Sequence, residues 1–162
     1  MKLCRSQIAL SLLCLAGLFT VVTSNPVTAN NSFFGKISLS PNSEAVKKIV
    51  TGYTGGSYSL SAVSKRDRNK NLCIGFADPT PDHILVLEKD FSKLNIKVNS
   101  GGYDTTLLIV GPDDKTVRCG DDTGRSKDAS INDSNWKAGE YKIWVGSFKA
   151  STRQNYKLSL QE

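Results

Sequence analysis

SGGYDTTLLIVGPDDKTVRCGDD, residues 100–122, is the stretch whose reading decides the fold. A Gly-Gly opening and a Tyr-Asp pair lead into Thr105–Val110, six residues with no helical period that read as a strand apolar on both faces. Gly111-Pro112-Asp113-Asp114 is a turn, Thr116 to Cys119 a second short strand, and Asp121-Asp122 opens a long acidic loop to about Asp128. The stretch is therefore a hairpin.

Outward from it the same period of two continues. On the N-terminal side Leu94, Ile96 and Val98 alternate with Asn95, Lys97 and Asn99, and His83 to Leu87 is again apolar on both faces. Further back, Tyr58, Leu60 and Ala62 alternate with serines, Leu72 to Phe76 is a short strand, and Ile37 and Leu39 begin the series. Glu44 to Val50 reads as strand or irregular, because β-branched Val46, Ile49 and Val50 weaken a helical turn. On the C-terminal side Ala129 to Asn132 adds a short strand. Tyr141, Ile143 and Val145 face one way with Lys142 and Trp144 the other, and Tyr156, Leu158 and Leu160 close the chain. Eight to ten short strands with turn residues between them predict an all-β sandwich or barrel.

Residues 1–29 read as a secretory signal peptide. Lys2 and Arg5 make its positive start, Ile8 to Val22 its apolar run, and Val27-Thr28-Ala29 its cleavage pattern. The run is shorter than the roughly 20 residues of a membrane span. What remains, 30–162, is a single domain with a net charge of about +4. That mild charge is not the signature of a nucleic-acid binder, and no nucleic-acid partner is expected. Lys65, Arg66, Arg68 and Lys70 form a basic loop suited to an anionic polymer, whose plainer reading is a solvated loop. Export also decides the cysteines: Cys73 and Cys119 are expected as one disulfide, closing a loop worth about 4 kcal/mol in the chain-entropy account. The destination is the periplasm or the medium.

The ordered series Asp104-Thr105-Thr106-Leu107-Leu108-Ile109-Val110-Gly111-Pro112-Asp113, Cys119-Gly120-Asp121-Asp122, Ala138-Gly139-Glu140-Tyr141 and Tyr156-Lys157-Leu158 resembles the bacterial pre-peptidase C-terminal domain. Asp114 stands where that family has a turn glycine, and Glu140 where it has threonine. The resemblance covers about residues 82–162, with 30–81 as less typical N-terminal strands. It implies a jelly-roll-like β-sandwich of the kind that accompanies secreted peptidases, some collagen-binding members of which bind calcium and matrix polymers.

Candidate sites follow from the residues themselves. Asp121, Asp122 and Asp128, joined by Asp104, offer the hard oxygens calcium takes; otherwise they are turn residues bonded to backbone N–H groups. Asp67-Arg68-Asn69-Lys70-Asn71 begins with EF-hand-like spacing but has Leu72 where the glycine belongs. Trp144, opposite the apolar face of its strand, is a candidate binding surface, or lies beneath a loop. His83 is the one histidine, with no GxSxG or HExxH around it. The sequence thus favours a secreted, non-catalytic binding or accessory module for a polymer or partner protein, with calcium as the candidate ligand. The alternative is a small exported hydrolase or inhibitory protein using His83 and the acidic loop.

Overall fold

A computed structural model describes residues 32–41 and 47–162. The leader, with its cleavage pattern, and the Glu44–Val46 part of the uncertain segment lie outside the described residues. No described helix is long and apolar enough to cross a membrane.

The chain forms eleven described strands: β1 Lys36–Leu39, β2 Lys47–Tyr53, β3 Tyr58–Ser59, β4 Phe76–Ala77, β5 His83–Leu87, β6 Phe91–Asn99, β7 Thr105–Val110, β8 Val117–Gly120, β9 Ser130–Trp136, β10 Gly139–Ser147 and β11 Asn155–Gln161. They make two sheets. One is the antiparallel ladder β2-β11-β6-β9; the other is organised on β10, which pairs β7 along one edge and β5 and β4 along the other. β8 extends the second sheet beyond β7, β1 extends it beyond β5, and β3 beyond β4. The β1–β5 ladder is parallel, a departure from a purely antiparallel sandwich. A parallel pair cannot be a hairpin, and here β2, β3 and β4 all intervene in the chain.

Alternation places the core. Leu94, Ile96 and Val98 of β6 and Leu158 and Leu160 of β11 meet Leu107 and Ile109 of β7 and Tyr141, Ile143 and Val145 of β10 between the sheets. Each such burial contributes about 1.5–3 kcal/mol. A second apolar layer lies on the outer face of the β10 sheet, where Leu108, Val110, Val117 and Trp144 pack under Leu60, Cys73 and Ala77. This is why β7 is buried at all six positions: one face looks into the sandwich and the other into this layer. The covering segment is less regular than its sequence suggests. Only Tyr58–Ser59 is strand before a 3-10 turn at Leu60–Ala62, and of the expected Leu72–Phe76 strand only Phe76 lies in a strand, the two-residue β4, with Leu72 in an isolated bridge to Arg66. The Cys73–Cys119 disulfide pins this cover to β8.

Trp144 is therefore covered, as in the second of its two sequence readings, and does not lie on an open face. It is 6% exposed, packed in the outer layer, with its indole N–H donating to the Pro79 carbonyl at 3.3 Å. Trp144 points away from Tyr141, Ile143 and Val145, as alternation along β10 predicts, and what covers that face is chain 65 residues upstream.

Candidate functional site at the Ser100–Asp104 loop

The β6–β7 connection is short, and its conformation is set by two glycines. Gly101 and Gly102 have φ of +83° and +91°, backbone that other residues adopt only at a cost of order 1–3 kcal/mol. The base of the loop is clamped. The Ser100 N–H donates to Asp128 Oδ1 at 2.8 Å, the Ser100 hydroxyl lies against the same oxygen, and Gly101 N–H reaches Asn99 Oδ1 at 3.2 Å. Thr105 N–H donates to the Lys127 carbonyl, and Ala129 N–H to Thr105 Oγ1. The loop is thus sewn on both strands to Lys127–Ala129 before it carries any load.

What this frame presents is aromatic. Tyr103 is 53% exposed at the loop, and Phe148, whose N–H donates to the Asp104 carbonyl at 3.0 Å, is 52% exposed. Clefts flank the loop on two sides. One of about 580 Å³ runs along Ser100 and Gly101 to Phe34, Tyr53 and Tyr156, and one of about 280 Å³ is bounded by Tyr103, Asp104, Lys127 and Lys149. The larger has an aromatic wall: Phe34 meets Tyr53 edge-on at 4.8 Å, and the Arg153 guanidinium lies 3.4 Å from the Tyr53 ring centre. Sequence reasoning missed Tyr103 and Phe148 as a pair. The signal available was a tyrosine directly after Gly-Gly, outside any alternating strand; nothing local links it to a phenylalanine 45 positions on.

Three of the four proposed calcium ligands come together. Asp104, Asp121 and Asp122 can each place one carboxylate oxygen within 4.8 Å of the others. Crowding is visible in Asp121, whose carboxyl is pushed up by burial and then by the charges of Asp122 and Asp104, and whose Oδ1 is buried without a partner. Lys127 Nζ sits 3.0 Å from Asp104 Oδ2 as a resident counter-charge. Asp128 is the exception. Its carboxylate turns inward to the Ser100 clamp, a structural use that removes it from the ligand set. The Asp67 carboxylate is likewise occupied, by the N–H groups of Asn69, Asn71 and Cys119, so it caps its own turn.

His83 is sealed in. It is fully buried, with Nε2 2.9 Å from the Tyr156 hydroxyl and Phe34 against its ring at 5.6 Å, and no carboxylate of the acidic loop is among its partners. Its neighbour Asp82 is buried too and accepts the Val145 N–H at 2.7 Å. Burial pushes Asp82 up to about 7 and His83 down to about 4. Burial also raises the Tyr156 hydroxyl, which keeps its proton.

The two shifts oppose one another in stability. Folded Asp82 holds a proton that the unfolded chain releases near 3.8, so its contribution is full below that pH and lost as pH rises to about 7. Folded His83 refuses a proton that the unfolded chain takes up near 6.5, so its contribution is full above that pH and lost as pH falls to about 4. Between pH 4 and 6.5 the slopes cancel in part. We expect the melting temperature of Asp82→Asn to rise with pH across this window and that of His83→Gln to fall, followed by thermal unfolding at a series of pH values. Parallel pH profiles for the two variants would contradict the assignment.

The chain is similar in structure to a pre-peptidase C-terminal domain. That domain belongs to a collagenase from Bacillus anthracis, with 15% identity, coverage of 81% of this chain and 99% of that one, and a TM-score of 0.47. It is also similar to Aeromonas hydrophila PliG, a periplasmic lysozyme inhibitor of g-type lysozyme, with 12% identity, coverage of 78% and 96%, and a TM-score of 0.40. No family model and no curated protein matches the sequence.

Proposed function

We propose that this protein is an exported, non-catalytic binding module that engages a partner protein through the Ser100–Asp104 loop, with Tyr103 and Phe148 as its anchors. The observation that carries the reading is the combination of a pre-shaped loop that exposes Tyr103 with a second exposed aromatic, Phe148, on the segment whose backbone bonds to Asp104. Aromatic side chains lose little freedom on binding and dominate interface energetics, and a loop already held by Asp128 adds little ordering cost. The clefts on either side give a partner surface to fill. A catalytic reading has no comparable support, because its histidine is buried against Tyr156 and Phe34.

Tyr103→Ala is expected to leave the melting temperature within about 1–2 °C of wild type, since the side chain is exposed, while weakening partner binding roughly 30-fold, the size of a hot-spot loss. Immobilised wild type and variant, compared for capture of exported proteins with g-type lysozyme as one purified probe, provide the readout. Retained capture by a folded Tyr103→Ala, Phe148→Ala double variant would remove the loop from the site.

The proposal includes calcium as a stabiliser of this end of the sandwich, supported by the convergence of Asp104, Asp121 and Asp122. At a hundred times its dissociation constant the ion would add about 2.7 kcal/mol to stability. Thermal unfolding in calcium, magnesium and chelator is expected to show a rise specific to calcium that Asp122→Asn abolishes. An unchanged midpoint through millimolar calcium leaves the aspartates as turn residues.

A further inference from the structure

At the other end of β7, beyond the Gly111–Thr116 turn, the structure holds a buried cation with an unused donor. Arg118 of β8 is 1% exposed. Its Nε donates to Asp133 Oδ2 at 2.8 Å, its Nη2 to the Asn135 carbonyl at 3.2 Å, and its guanidinium lies 3.9 Å from the Trp136 ring centre. Nη1 is buried with no acceptor. Leaving such a donor unpaired is costly, more so for a charged group than a neutral one. Asp133 does not serve Arg118 alone: the same Oδ2 is 3.4 Å from Arg68 Nη1, which also donates to the Ser134 carbonyl at 3.1 Å. Two guanidiniums thus share one carboxylate.

A cleft of about 370 Å³ opens against them, with Arg68, Lys115, Thr116, Arg118, Asn135 and Lys137 among its walls. Lys137 is matched by Asp90 at 2.7 Å. Asp113 also borders the cleft, but one of its oxygens is held by the Thr116 N–H at 2.7 Å. Lys115 makes no ion pair among the described residues. Arg68, Arg118, Lys115 and Lys137 therefore face Asp133, Asp90 and Asp113, which leaves one positive charge uncompensated.

We infer that this cleft is a binding site for a single oxyanion, a carboxylate carried on a sugar-sized polar ligand such as a uronic acid. Arg68 and Lys115 supply the accessible cations, Arg118 the buried positive charge and free N–H, and Thr116 and Asn135 the neutral polar groups that suit hydroxyls. Of the two guanidiniums Arg68 keeps an edge, Nε and Nη2, able to meet a carboxylate's two oxygens, Arg118 adds its single free nitrogen, and one excess charge matches a monoanion. The basic Lys65–Lys70 loop, of which only Arg68 reaches the site, then acts through one residue and not as a diffuse patch.

The test is a titration of the mature protein at constant ionic strength with glucuronate, glucose and sulfate in turn, followed by backbone amide and arginine Nε resonances. Glucuronate is expected to move the signals of Thr116, Asn135 and the Arg118 side chain, with glucose silent. Arg68→Gln and Lys115→Gln, both at accessible side chains, are each expected to weaken the response about tenfold, as the loss of one charge-assisted contact does. A response to sulfate without one to glucuronate would overturn the carboxylate assignment. Silence toward both anions through tens of millimolar, or shifts that persist unchanged in the two variants, would overturn the site.

Discussion

Asp133→Ala is expected to destabilise the protein by about 3–5 kcal/mol, the range found when one partner of a buried ion pair is removed. Asp133 holds Arg118 at 2.8 Å and Arg68 at 3.4 Å, and Arg118 is only 1% exposed where it borders the cleft, so water replaces the lost carboxylate only in small part. The cost comes from stranding a guanidinium that already has one unpaired nitrogen, and not from the pair's own attraction. For this reason a second change distinguishes the account from simple loss of packing. Asp133→Ala combined with Arg118→Met is expected to recover much of the loss in urea unfolding, because the stranded charge is gone and a methionine can lie against Trp136. Purely additive losses would contradict it.

Removing the disulfide is expected to be comparable. Cys73 and Cys119 are separated by 46 positions, and opening a loop of that size costs about 4 kcal/mol in the chain-entropy account. The Cys73→Ser, Cys119→Ser variant should melt roughly 10–20 °C lower. The bond ties the irregular cover, from Tyr58 to Ala77, onto β8 above the outer apolar layer. Its loss should therefore expose Trp144 before the sandwich itself opens, seen as a red shift of tryptophan fluorescence preceding the loss of far-ultraviolet β signal. Coincident transitions with little change in midpoint would show that the cover holds by packing alone.

Much of this architecture was legible in the residues. The alternation of Leu94, Ile96 and Val98 and of Tyr156, Leu158 and Leu160 gave strands with the correct inner face, because each strand's period of two is local information. The continuous apolar runs His83–Leu87 and Thr105–Val110 announced burial on both faces. They could not say what lay on the second face, since the cover is an irregular segment with little period of its own. The choice between Trp144 as a binding surface and Trp144 beneath a loop stays open in the sequence for that reason. The acidic loop shows the same division: oxygen chemistry was readable in Asp104, Asp121, Asp122 and Asp128, but the turn of Asp128 toward Ser100 depends on a residue 28 positions away. Arg118 lay hidden in the short strand Thr116–Cys119, where alternation alone cannot reveal a buried charge whose partner is Asp133.

The binding account rests on Tyr103, so the most direct measurement places a photo-cross-linking residue, p-benzoylphenylalanine, at position 103 of the protein in its native host. The same residue at Ile49, equally exposed but on the edge strand β2, serves as control. Irradiation is expected to give a discrete adduct with one partner protein from position 103 and none from position 49. No adduct from position 103, or the same pattern from both positions, would contradict the assignment of the Ser100–Asp104 loop as the binding site.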